Sequence, residues 1–91
     1  MIADTARPAL PRGVRLHFDT VRGAWTLLAP ERALRLDEAG QAILGEVDGG
    51  RDVAEIAARL AARFAAPVDE ILVDTREFLG GLADRRLVDL R

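Results

Sequence analysis

The chain reads as one α+β domain, a three-stranded antiparallel sheet followed by three helices in a winged helix-turn-helix-like arrangement. Three observations predict it. Apolar residues alternate with period two up to Leu36, the period changes to 3.6 after Asp37, and 91 residues suffice for one core but not two. Sequential strands followed by sequential helices place the helices on one face of the sheet.

The first stretch, residues 1–12, holds Pro8 and Pro11 with Ala3, Ala6 and Ala9 between small and polar residues. Lacking any period, it is expected as a flexible arm or linker ahead of a domain spanning 13–91. Val14, Leu16 and Phe18 then alternate with Arg15, His17 and Asp19, as a half-buried strand does. A turn over residues 19–23 leads to a second strand with Trp25, Leu27 and Ala29 on one face, which Pro30 ends. A short third strand follows at residues 33–36, Leu34 and Leu36 inward, completing a meander.

Asp37 is the expected N-cap of a first helix whose face is Ala39, Gly40, Ile43, Leu44 and Val47, with Gly49 and Gly50 ending it. Asp52 with Glu55 three residues on forms an aspartate version of the capping box. The helix that it opens has the face Val53, Ile56, Ala57, Leu60 and Phe64. The third helix begins near residues 67–69 and lines up Ile71, Leu72, Thr75, Phe78, Leu79 and Leu82, with Asp69, Glu70, Asp74 and Glu77 outward. Gly80 and Gly81 weaken its last turn by about 1 kcal/mol each relative to alanine, so an early end is expected. Residues 87–90 read as a last short strand or a docked tail.

Composition removes several kinds of function. The chain has no cysteine and one histidine, which disfavours thiolate catalysis, disulfides and transition-metal sites. A formal net charge of −2, from 13 basic residues, all arginine, and 15 acidic ones, lacks the basic excess that nucleic acids or acidic membranes attract. No segment approaches the roughly 20 apolar residues of a membrane helix, and the first residues lack a secretory pattern, so a cytoplasmic location is expected.

No catalytic residue emerges. His17 lies on the polar side of a strand without a positioned partner, and the glycines match no phosphate loop. The carboxylates cluster at helix starts and on a solvated helix face, where the helix dipole and water account for them. Trp25, with Phe18, could stack on a ligand, but sharing a face with Leu27 and Ala29 favours the core. A reading helix for DNA should present basic and amide side chains; the third helix presents four carboxylates and, in its body, Arg76 alone. DNA binding is the weaker alternative. The third strand, residues 32–36, ends the meander and should have an open edge. Such an edge either accepts a partner strand or is kept safe by its shortness and by Arg32 and Arg35.

Leu34, Leu36, Asp37, Gly40, Ile43 and Leu44 form L-x-L-D-x-x-G-x-x-I-L, followed by D-G-x-R-x-V at Asp48, Gly49, Arg51 and Val53. With P-x-G-V-R-L from Pro11 to Leu16 and the segment Leu27 to Pro30, this order and spacing resembles the pyrroloquinoline quinone biosynthesis protein D family over about residues 11–90. The family usually has Asn where Asp37 stands, and both residues cap helices.

The resemblance implies a peptide-recognition element without catalytic residues, metal or cofactor. It implies binding of the ribosomal precursor peptide of the quinone (PqqA) and its presentation to a radical S-adenosylmethionine enzyme (PqqE) that cross-links a Glu and a Tyr. A recognition element for another modified peptide is the nearest alternative. By the same resemblance the peptide adds beside the third strand and lies against the third helix, in a cleft bounded by Arg32, Ala33, Leu34, Arg35 and Leu36 and by Leu72, Thr75, Arg76 and Leu79. Ala33, Leu34 and Arg35 would supply ladder bonds, Leu72 and Leu79 an apolar wall, and Arg35 and Arg76 charge pairing. A monomer is expected, with strand-exchanged dimers open to it through the same edge.

Overall fold

The computed structural model describes residues 2–91. It contains β1 (Pro8–Ala9), β2 (Arg15–Asp19), β3 (Ala24–Ala29), β4 (Arg32–Arg35), α1 (Glu38–Gly45), α2 (Val53–Phe64), α3 (Val68–Asp84) and β5 (Asp89–Leu90). The expected α+β order, three antiparallel strands and then three helices, is present in β2 to α3.

Strands β2, β3 and β4 pair in that order, with Leu16, Leu27 and Leu34 in one row across the sheet. Leu27, at the centre of the row, is 1% exposed and joins Leu44, Val53, Ile56, Leu60, Leu79 and Leu82 in the core. Phe18 and Trp25 form the next row toward the turn, which the helices do not cover. They remain 42% and 37% exposed, and their rings meet edge to face with centroids 5.3 Å apart. Trp25 is therefore not the core residue that its strand face predicts, because alternation gives the face but not how far the covering layer extends.

Asp37 caps α1 as expected, its Oδ1 accepting from the Gly40 N–H at 2.7 Å. That helix ends at Gly45 rather than at Gly49–Gly50. The Glu46 N–H closes onto the carbonyls of Ile43 and Leu44, and Asp48 Oδ1 accepts from the N–H groups of Gly50 and Arg51, diverting that stretch into a side-chain-held turn. The capping box of α2 is complete, with Glu55 N–H donating to Asp52 Oδ1 at 2.8 Å and Asp52 N–H to Glu55 Oε1 at 3.0 Å.

Helix α3 buries Thr75, Leu79 and Leu82 and runs through Gly80 and Gly81 to Asp84, without the early end expected there. Ile2 packs beside Gly80, its Cγ2 within ordinary contact distance, 3.7 Å, of where a β-carbon would stand.

That approach belongs to a larger difference. Met1 lies outside the described residues, but the rest of the segment expected as a flexible arm packs onto the domain. Pro8 and Ala9 are buried and pair antiparallel with Leu90 and Asp89. The carbonyls of Ala6 and Asp4 accept from the N–H groups of Val53 and Ala54, two first-turn donors of α2 that no intrahelical partner can satisfy. Arg76 reaches Asp4 at 2.9 Å. These are mostly backbone bonds to the start of α2 and to the other end of the chain, so the side-chain pattern gives no sign of them.

At the C-terminal end of α1, Arg59 Nε lies 2.6 Å from Glu46 Oε1, with Arg51 nearby. The hydrogen bond from Arg59, followed by the charges of Arg59, Arg51 and Arg63, holds the Glu46 carboxyl below the usual glutamate range against an opposing effect of burial. Among the described residues, no helix is long and apolar enough to cross a membrane.

Candidate functional site

Among the described residues, strand β4 is hydrogen-bonded on one side only, to β3, so its other side is a free edge. The direction of each backbone group follows from the register. Thr26 lies opposite Arg35, and the Leu36 N–H donates to the Trp25 carbonyl at 3.0 Å. Directly opposed antiparallel residues alternate between bonded and non-bonded pairs. Trp25 with Leu36 is a bonded pair, hence so are Leu27 with Leu34 and Ala29 with Arg32. The intervening Ala33 and Arg35 turn their N–H and C=O groups outward, giving two donors and two acceptors for an added strand. Leu34, expected among the ladder residues, spends its backbone groups on β3.

Two features place α3 alongside this edge. Arg32 Nη2 donates to the Arg85 carbonyl at 2.6 Å, tying the start of β4 to the residue that caps the C-terminus of α3. Beyond the other end of β4, Gly40 sits so close to Phe78 that a β-carbon there would stand 3.1 Å from the ring, and Asp37, Gly40 and Phe78 line one depression. The strand thus runs antiparallel to the second half of α3. Residues 32–37 span about 16 Å of strand and residues 78–85 about 10 Å of helix. The extended Arg32 side chain covers the difference.

The expected cleft residues divide accordingly. Arg32, Ala33 and Arg35 are exposed on the edge, while Leu34 and Leu36 are half-buried and pack against the core. The four expected residues on α3 are mostly engaged within the domain. Leu79 is 0% exposed inside the core, and buried Thr75 donates its hydroxyl to the Ile71 carbonyl at 2.7 Å. Leu72 is half-buried against the core, and Arg76 is held by Asp4. The α3 residues near the strand are Phe78 and Arg85, with Asp74 and Glu77 beside Phe78. Phe78 and Asp74 flank the buried stripe on one side, with Glu77 further round the helix. A 3.6-residue period gives the stripe but not which flank faces the sheet.

The resulting feature is a short open sheet edge with arginines at Arg32, Arg35 and Arg85 and carboxylates at Asp37, Asp74 and Glu77. Side chains of Leu34 and Leu36 face the helical layer, whereas those of Ala33 and Arg35 point to solvent. A peptide added as a fourth strand would present alternate residues to the apolar side and to Arg35. Fold and edge together define the class: a small α+β domain whose sheet ends in an open edge strand.

Comparison with known proteins narrows the class. The family model described as coenzyme PQQ synthesis protein D matches residues 24–88. A protein of Rhizobium meliloti named PqqA binding protein is 46% identical over 90 residues, covering 99% of this chain and 92% of its own length. A protein of the same name from Xanthomonas oryzae is 43% identical, with 98% and 97% covered. The solution structure of the PqqD truncation of Methylobacterium extorquens PqqCD, described as a stand-alone recognition element for ribosomally synthesised and modified peptides, superposes with a TM-score of 0.78. The two are 45% identical, with 90% of this chain and 87% of that one covered. The crystal structure of PqqD from Xanthomonas campestris gives a TM-score of 0.61 at 41% identity, with 96% and 97% covered. The chain belongs to the coenzyme PQQ synthesis protein D family.

Proposed function

We propose that this protein is a non-catalytic peptide carrier of the cytoplasm. It binds the precursor peptide PqqA as a fourth strand beside β4 and presents it to the radical S-adenosylmethionine enzyme PqqE for Glu–Tyr cross-linking. The observation that carries the reading is the free edge of β4, with the Ala33 and Arg35 backbone groups outward next to the second half of α3. The names of the relatives, PqqA binding protein, supply the ligand. Leu34, Leu36 and Phe78 form the apolar side of the site, and Arg35 pairs with acidic residues of the peptide on the solvent side. Four ladder bonds at about 1 kcal/mol net each, with one or two side-chain contacts, give a reversible affinity suited to handing a substrate on.

Calorimetric titration of the domain with PqqA, an unrelated leader peptide and duplex DNA separates the readings. Saturable one-to-one binding of PqqA, at least tenfold tighter than the unrelated peptide and with no heat from DNA, is expected. Preference for the other peptide would assign the domain to a different modification system, and tight DNA binding would overturn the reading.

A further inference from the structure

A second apolar depression lies where α1, α2 and α3 meet, a cavity of about 400 Å³ with walls of Ala42, Ile43, Leu60, Phe64 and Ile71 and with Thr75, one of the expected cleft residues, at its lining. That is within the size range of sites that bury a ligand group. Phe64, expected in the core, is 45% exposed here, with the Arg63 guanidinium 4.8 Å over its ring. This cavity shares Ala39, Ile43 and Asp74 with the depression beside Phe78, so the two make one groove that begins at Asp37, where β4 hands over to α1.

Its charge is one-sided. Glu38 and Asp74 line the cavity and Asp37, Asp74 and Glu77 the depression, and no basic residue lines either. The Asp37 carboxylate is occupied in capping α1, whereas Glu38, Asp74 and Glu77 are exposed and take part in no ion pair among the described residues. An apolar slot with a carboxylate rim favours an apolar side chain next to a cation and disfavours acidic ligands, nucleic acid among them.

We propose that the α1–α3 groove is a specificity subsite for the bound peptide, taking one apolar side chain that has a lysine or arginine adjacent to it in the peptide sequence. The inference rests on the strand-addition reading above and extends it, because the groove continues the line of β4 past the end of the ladder. It gives the peptide two chemically different regions: acidic residues beside Arg35, then an apolar residue with a basic neighbour at the helical end.

The test measures PqqA affinity of Ala39→Trp, Asp74→Lys and Ala33→Pro, each confirmed as folded by its amide NMR spectrum. Ala39 is exposed in the first turn of α1 and lines both depressions, so a tryptophan there fills the groove from outside without entering the core. Ala39→Trp should weaken binding at least tenfold and Asp74→Lys at least fivefold. The Asp74→Lys loss should shrink to less than twofold for a PqqA variant in which one particular lysine or arginine is replaced by glutamine. If both groove variants bind within twofold of the parent while Ala33→Pro does not, or if no basic residue of PqqA couples to Asp74, the subsite is excluded and strand addition stands. Unchanged binding by Ala33→Pro removes strand addition itself.

Discussion

Ala33→Pro should weaken PqqA binding at least thirtyfold while leaving the domain folded. The expectation follows from the alternation along β4, where the Ala33 N–H points away from β3 and carries no ladder bond. Proline is tolerated on an edge strand when its nitrogen faces solvent, so the sheet loses nothing that it uses. An incoming strand loses a donor and meets a ring where its own backbone should lie. The lost donor and a neighbouring ladder bond forced apart by the ring, at about 1 kcal/mol each, correspond to roughly thirtyfold in affinity. Leu34→Pro has the opposite profile, removing a bond to β3 and destabilising the fold. Titration calorimetry beside thermal unfolding of both variants reads the contrast. Equal affinity of folded Ala33→Pro and the parent would mean that the peptide binds elsewhere.

Leu79→Ala acts on stability and not on recognition. The side chain is fully buried among Leu27, Ile56 and Leu82, so its truncation leaves a cavity and costs roughly 3 kcal/mol. For a domain of this length that lowers Tm by roughly 12 to 24 °C. Below the new transition the folded protein should bind PqqA within about threefold of the parent, since Leu79 reaches no surface. A large loss of affinity with little loss of stability would restore Leu79 to the peptide wall implied by the family resemblance.

What could be read from the sequence was local. Asp37 and Asp52 announce their helices because a cap involves residues three apart, and the buried stripe of α3 follows from its 3.6 period. The open third strand follows from the order of the meander. What could not be read depends on partners distant in sequence. Whether Ala33 or Leu34 offers its backbone to a ligand is set by register against β3, and one residue of slip would exchange them. Arg76 looked free on a helix face, yet its partner is Asp4, far away in a segment without periodic pattern. Phe78 sat among core candidates, and only the close approach of α1 at Gly40 puts its ring beside the end of β4. Phe64 and Trp25 lie on apolar faces that extend past the layer covering them.

The strand-addition account is tested most directly by amide hydrogen exchange at residues 32–36, measured with and without saturating PqqA. The amides of Leu34 and Leu36 are already bonded to β3 in the free protein and should change little. Those of Ala33 and Arg35 should slow at least tenfold on binding, a two-residue alternation that only an added strand produces. Uniform protection of all these amides, or none at Ala33 and Arg35 at full occupancy, would contradict the account.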